Sequence, residues 1–179
     1  MTSSTTAAKR FGMAVDTRRC VGCNACVIAC KTENRLPEGG FRDWIVQETW
    51  GTFPDLTMQI RSERCNHCDE PPCVACCPTG ASHVEDFGRL VHVTADKCIG
   101  CKACIAACPY GARYVHPDGY IDKCTFCSHR VKAGLEPACV AVCPTRCMHF
   151  GDLDDPTSIV SRLLATRPHK ALLPEAGTK

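Results

Sequence analysis

The chain has 179 residues, and its 21 basic and 19 acidic residues leave a formal charge of +2. That balance excludes the strongly basic footprint of a nucleic-acid binder. Eighteen residues are cysteine, and without them the apolar fraction falls to roughly 35%, low for a self-sufficient aliphatic core, so disulfides or metal must hold the fold.

The first twenty residues, MTSSTTAAKRFGMAVDTRRC, contain no apolar h-region, and Arg18-Arg19 does not precede one. Neither a secretory nor a twin-arginine signal is expected there. No window approaches 18 apolar residues, so no membrane-spanning helix is predicted. The first cysteine group comes next: Cys20, Cys23, Cys26 and Cys30. Beyond the loop RLPEGG, Trp44, Val46 and Trp50 fall on one face of a predicted strand, and Leu56, Met58 and Ile60 alternate in a second. The two form a hairpin expected to cover a metal centre, or, more plainly, to bury both tryptophans in a core.

The second group is Cys65, Cys68, Cys73 and Cys77. GRLVHVTADKC, residues 88–98, reads as a short strand leading into the third, Cys98, Cys101, Cys104 and Cys108. The fourth is Cys124, Cys127, Cys139 and Cys143, with Cys76 and Cys147 left over as alternative ligands or, more plainly, small buried hydrophobes. DLDDPTSIVSRLLATRP is predicted to be one helix, capped by Asp155, with Pro156 in its first turn, Ile159, Val160, Leu163 and Leu164 on its apolar face, and Pro168 beyond its end.

Three chemistries compete for these thiols. Disulfides suit secreted chains, and neighbours within C-x2-C-x2-C would compete for one another. Zinc sites use two pairs of ligands rather than four tetrads, three of them followed by proline. Groups one and three instead read C-x2-C-x2-C-x3-C, the bacterial iron–sulfur spacing, in which three thiolates wrap one cluster and the fourth reaches a second. A Rieske reading of His67, between Cys65 and Cys68, needs histidines in place of cysteines, and none is missing.

The chain also repeats itself. CVGCNACVIAC (20–30) matches CIGCKACIAAC (98–108) at seven of eleven positions, and EPPCVACCPTG (70–80) matches EPACVAVCPTR (136–146) at eight of eleven. The order A-B-A-B predicts a duplicated two-cluster unit, each copy ferredoxin-like. One basic residue precedes every group: Arg19, Arg64, Lys97 and Lys123. Each either raises the potential of a nearby cluster or is a solvated side chain. A four-thiolate cubane carries about −2, so four of them would take the holoprotein to about −6.

The motifs CVGCNACVIACK, CNHCDEPPCVACCPTGA, KCIGCKACIAACPYGAR and KCTFCSHRVKAGLEPACVAVCPT, with FGDLDDPTS after the last, resemble the four-cluster electron-transfer subunits of the polysulfide reductase, dimethyl sulfoxide reductase and formate dehydrogenase type. The likeness runs from about Arg10 to Lys179. It implies an α+β fold of two ferredoxin-like units related by a pseudo-two-fold axis, each binding two [4Fe–4S] clusters, with a hairpin insertion and a C-terminal helix. The implied outer unit is 10–64 plus 110–150, the inner unit 65–109, and the tail 151–179.

The resemblance further implies four ligand sets: Cys20, Cys23, Cys26 and Cys143; Cys65, Cys68, Cys73 and Cys108; Cys98, Cys101, Cys104 and Cys77; Cys124, Cys127, Cys139 and Cys30. The A-B-A-B order alone equally allows groups one with two and three with four. No ligand is replaced by tryptophan, as happens in nitrate-reductase relatives with a three-iron cluster, so four cubanes are expected.

The implied role is non-catalytic: an electron wire between a molybdenum or tungsten bis-pterin catalytic subunit and a membrane quinone-binding subunit. The complex would be peripheral to the membrane, its periplasmic face favoured over the cytoplasmic one. A diffusible polyferredoxin is the alternative, and the cluster subunit of a hydrogenase or nitrite-reduction pathway a third. No G-x-G-x-x-G or G-x-x-x-x-G-K-[ST] motif offers nucleotide chemistry. The holoprotein is expected to contain about sixteen irons, four per cubane. Oxidised samples should show no stoichiometric three-iron signal by electron paramagnetic resonance, and zinc as the dominant metal would sink the assignment.

Overall fold

The computed structural model describes residues 9–176. The start of the stretch read for a signal, 1–8, and the end of the tail, 177–179, lie outside the described residues. The order of elements is β1 (Phe11–Val15), α1 (Ala25–Glu33), β2 (Asp43–Thr52), β3 (Asp55–Arg64), α2 (Pro72–Ala75), β4 (Ser82–Glu85), β5 (Leu90–Val93), α3 (Ala103–Ala106), β6 (Tyr114–Val115), β7 (Ile121–Asp122), α4 (Ser128–Lys132), α5 (Ala138–Val142), β8 (Met148–Asp152) and α6 (Ile159–Thr166). The strands form four two-stranded antiparallel sheets: β1–β8, β2–β3, β4–β5 and β6–β7.

The pairing of β1 with β8 joins the two ends of the chain, Phe11 opposite Asp152 and Val15 opposite Met148. It brings the segments flanking groups one and four side by side, and α1 packs on α5 beneath them. The hairpin β4–β5 instead closes within the middle of the chain, Ser82 opposite Val93. These pairings follow the α+β, ferredoxin-type pattern expected from the repeat.

The residue after the fourth cysteine of each group sets the length of its helix. Pro78, Pro109 and Pro144 remove an N–H and bias the preceding residue out of the helical region. Accordingly α2, α3 and α5 have four, four and five residues. Cys30 is followed by Lys31, so α1 continues to nine. After each Cys-Pro the third residue past the cysteine turns left-handed: Gly80 (φ 66°), Gly111 (φ 61°) and Arg146 (φ 49°).

The cluster loops repeat in their backbones as well. Gly22 (φ 66°) and Asn24 (φ 60°) in group one match Gly100 (φ 66°) and Lys102 (φ 64°) in group three. Gly100 is needed for space too, since a Cβ there would lie 2.7 Å from the Gly119 carbonyl oxygen.

Each of three apolar clusters contains cysteine. Phe11, Leu90, Ala112 and Phe126 pack with Cys65 and Cys124. Val27, Val140 and Met148 pack with Cys26, Cys139 and Cys147. Val91 and Ile121 pack with Cys73 and Cys104.

Three local expectations change. The hairpin forms over 43–64, but its face toward group one carries Ile45, Gln47 and Ile60, all within 4 Å of a Cβ built on Gly22. That is the face opposite the tryptophans. Trp44 packs on the Cys65–Cys124 cluster, whereas Trp50 is 48% exposed near the tip, beyond the reach of any core.

The tail helix is shorter than predicted, because Asp152 ends β8 and residues 153–158 form turns before the helix begins at Ile159. Its cap is Ser158, whose Oγ accepts from the Ser161 N–H at 3.2 Å. Asp155 makes an earlier turn by accepting from the Thr157 N–H at 2.8 Å. Only Val160 of the apolar face is fully buried, and Ile159 is 46% exposed.

With the core built around thiols, metal supplies folding energy directly. Removing iron from the holoprotein under reducing conditions is expected to abolish most far-UV circular dichroism in step with iron loss. A folded apoprotein with sharp amide signals would contradict this account of the core.

Candidate iron–sulfur centres

The third cysteine of each group sits inside a short helix: Cys26 in α1, Cys73 in α2, Cys104 in α3 and Cys139 in α5. All eighteen cysteines are free thiols. Among the described residues no three His, Cys, Asp or Glu side chains converge to hold a single ion. A cubane makes a different demand, because each thiolate binds its own corner iron around a shared volume.

Four thiols line one small cavity, Cys30, Cys124, Cys127 and Cys139, together with Asn34, Arg42, Asp43 and Arg64. It brings three thiols of group four to the last of group one. Asn34 links the two groups, its Nδ2 lying 3.7 Å from Cys30 Sγ and 3.8 Å from Cys127 Sγ. Cys20, Cys26 and Cys143 share a second apolar neighbourhood. Cys65 and Cys108 share a third, and Cys98 and Cys104 a fourth. Cys23 and Cys101 stand at the surface away from these contacts. The donor set, the lined cavity and the buried polar atoms described below fit iron–sulfur clusters, which when bound supply one-electron storage.

Burial pushes the thiol of Cys124 up to about 12 and raises those of Cys30, Cys139, Cys73, Cys26 and Cys104. Such thiols bind metal only by giving up protons, so loading releases them. The fourth cysteines of groups two and four are prepared differently. Cys77 is lowered because its sulfur accepts the Ser82 N–H at 3.3 Å. At Cys143 burial opposes the same effect, but the Cys147 N–H at 3.3 Å and the Thr145 hydroxyl prevail. The first cysteines also match: Cys65 accepts from the His67 N–H at 3.5 Å and Cys124 from the Phe126 N–H at 3.4 Å.

The leftover residues are structural in their contacts. Cys147 is 3% exposed and packs against Met148, its sulfur 3.5 Å from that of Cys143. Cys76 is half-buried against Cys73 and Val91. His67 is buried with its ring 4.0 Å from that of Phe126, and its Nδ1 accepts the Val91 N–H at 3.0 Å. This is the neutral tautomer with its proton on Nε2.

The four basic residues that precede the groups divide evenly. Arg19 and Lys97 are exposed, whereas Arg64 and Lys123 are buried. A third buried cation, Arg113, is one that sequence reasoning misses. Its Nη2 donates to Cys73 Sγ at 2.8 Å and to Ser82 Oγ at 2.9 Å. It closes the motif CPYGAR, the one signal that could mark it.

Residues 56–153 match the family described as "4Fe-4S dicluster domain", and residues 17–33 match "4Fe-4S binding domain". The chain is 46% identical to Protein NrfC of Escherichia coli, over 95% of this chain and 78% of that protein. It is 45% identical to the B chain of the polysulfide reductase of Wolinella succinogenes, over 96% of this chain and 92% of that one. It is 38% identical to the arsenate respiratory reductase iron–sulfur subunit ArrB of a Shewanella strain, over 94% and 93%.

Cys143→Ser tests the exchange of ligands between groups. It is expected to alter the same spectral signal as Cys20→Ser while leaving the signal sensitive to Cys124→Ser intact. A Cys143→Ser spectrum that matches Cys124→Ser would instead keep Cys143 with its own group.

Proposed function

This chain belongs to the 4Fe-4S dicluster family, the iron–sulfur electron-transfer subunits of multi-subunit reductases, and from that premise we propose that it is a four-centre wire. One end serves a molybdenum or tungsten bis-pterin catalytic subunit and the other a membrane quinone-binding subunit. The ligand sets are those implied by the resemblance, with Cys30 completing the group-four centre and Cys143 the group-one centre. The outer unit, 10–64 plus 110–150, holds these two. The inner unit, 65–109, holds the centre of Cys65, Cys68, Cys73 and Cys108 and that of Cys98, Cys101, Cys104 and Cys77. A pseudo-two-fold axis would relate the units, a relation supported by the matching left-handed positions in groups one and three. The tail packs through α6 on β8 and β1.

The observation that carries the reading is where the thiols reach the surface. Every group holds buried thiols, and the two exposed ones are Cys23 in group one and Cys101 in group three. The apolar neighbourhoods supply an order: Cys26 packs with Cys139, Cys124 with Cys65, and Cys73 with Cys104. That sequence of contacts runs group one, four, two, three, and exposed thiols stand at its two ends. Exposed aliphatics lie close by in the chain, Val21 (60%) two residues before Cys23 and Ile99 (68%) two before Cys101. A diffusible carrier has less use for two apolar ends, and the reductase subunits among the relatives also favour the wire over a free polyferredoxin.

No helix among the described residues is long and apolar enough to cross a membrane, so quinone chemistry falls to a partner. The complex is peripheral to the membrane, and the periplasmic face expected from the resemblance has no support in the residues. We assign the group-one end to the catalytic subunit and the group-three end to the membrane subunit. Cys98→Ser in assembled complex is then expected to cut quinol-linked turnover by at least about tenfold while small-dye turnover at the catalytic site persists. Equal loss of both activities, with the other centres present, would overturn the assignment.

A further inference from the structure

Each contact between successive centres holds one buried cation, and the three are not alike. Arg64 lies between Cys26 and Cys139, its charge facing Cys139 and Cys124. It is paired with Asp43 at 3.3 Å, both residues buried. Arg42, which lines the same cavity, is paired with Asp122 at 2.7 Å. The group-four centre is therefore bordered by two arginines, each neutralised by its own carboxylate.

The next two cations have no carboxylate partner among the described residues. Lys123, 1% exposed, donates from Nζ to the carbonyls of Val91 and Cys124, the latter at 2.7 Å, and its charge faces Cys65, Cys124 and Cys73. Arg113, 6% exposed, donates to Cys73 Sγ and faces Cys104 and Cys65. Its Nη1 is buried with no hydrogen-bond partner among the described residues, a donor suited to cluster sulfur. Cys73 and Cys65 thus face both unneutralised cations.

We propose that Lys123 and Arg113 are positioning residues that make the centre held by Cys65, Cys68, Cys73 and Cys108 the highest in potential, the place where an electron in transit rests. The inference rests on the four-centre reading above. Adding one electron takes a four-thiolate cubane from about −2 to about −3, balanced by one-electron oxidation of the neighbouring centre, with no proton or bond moved. A fixed positive charge favours the more negative state and raises the potential. Paired arginines supply far less of this field. Arg113 cannot lose its charge in a protein, whereas at Lys123 burial works against the charge and the neighbouring Cys65 and Cys124 thiolates work for it.

The test is a redox titration followed by electron paramagnetic resonance on purified complex, comparing wild type with Arg113→Met, Lys123→Met and Arg113→Lys, iron being measured first. Arg113→Met is expected to shift two signals and Lys123→Met two, with one signal common to both. The common signal should be the highest in potential in the wild type and the one lost in Cys68→Ser. At fixed solution potential its oxidised-to-reduced ratio should rise about tenfold in either variant, a drop of about 59 mV for one electron. Arg113→Lys should recover most of the shift.

Several results overturn the proposal: no signal in common, an upward shift, or Cys68→Ser removing a lower-potential signal. If Arg113→Met loses iron, Lys123→Met decides, and an unmoved highest-potential signal in that variant overturns it. Iron far below about sixteen atoms per chain overturns the four-centre reading and this inference with it, and is recognised before any potential is measured.

Discussion

Thiols stand where a small α+β protein normally places aliphatic side chains, and that substitution governs the rest of the structure. Cys65 and Cys124 lie among Phe11, Leu90 and Phe126, and Cys26 and Cys139 among Val27 and Val140. A buried thiol is a small hydrophobe until it binds metal. It then becomes an anchor tied to three others, and four anchors from distant parts of the chain fix its path. Strands of two to five residues suffice outside the hairpin because they carry little of the load. β1 and β8 need only hold groups one and four in register, with Ser158 and α6 fastening the end of β8. The Ser158 hydroxyl donates to the Asp152 carbonyl at 2.6 Å.

Local chemistry then decides how each anchor is offered. A proline after the fourth cysteine ends the helix and throws the chain into a left-handed residue three positions past the cysteine. The sulfur is left facing backbone N–H groups, as with Ser82 at Cys77 and Cys147 at Cys143. Group one lacks the proline, α1 runs on, and Cys30 stays on a helix face pointed at the group-four loop. Asn34, one turn later, holds sulfur from both groups. The approach of Cys30 to the group-four thiols depends on one missing proline and one longer helix.

The same division between local and distant contacts separates the features legible in the sequence from those that are not. Spacing, the Cys-Pro turns, the hairpin and the strand at 90–93 are local, and periodicity or turn chemistry reveals them. The burial of Arg64 and Lys123 against the exposure of Arg19 and Lys97 is not local. Arg64 ends β3 and Lys123 comes directly after β7, and both strands enter the interior, whereas Lys97 ends a surface 3-10 turn and Arg19 lies in an open loop. All four look the same as a basic residue before cysteine. Arg113 is invisible for a similar reason, since its contact with Cys73 spans forty residues. Trp50 escapes because alternation finds a strand's two faces but not where the strand leaves the body of the protein.

Electrostatics gives the buried cations their weight. Two centres of charge about −2, at a separation of about 10 Å and an effective dielectric of about 20, repel by about 7 kcal/mol. One cation midway attracts each of them by about the same amount, so a single buried positive charge outweighs the repulsion across its junction. In the proposed arrangement Lys123 and Arg113 would each supply such a charge, which would let negative centres lie close together without a strongly basic composition. A carboxylate beside the cation cancels most of that field, as Asp43 does for Arg64. The choice to pair or not to pair each cation thus separates two tasks. A paired arginine orders the protein around a centre, while an unpaired one acts on the electron held there. Asp43 and Asp122 beside the group-four thiols, and the lack of a counterpart beside Lys123 and Arg113 among the described residues, would in the proposed arrangement favour the electron at the group-two thiols.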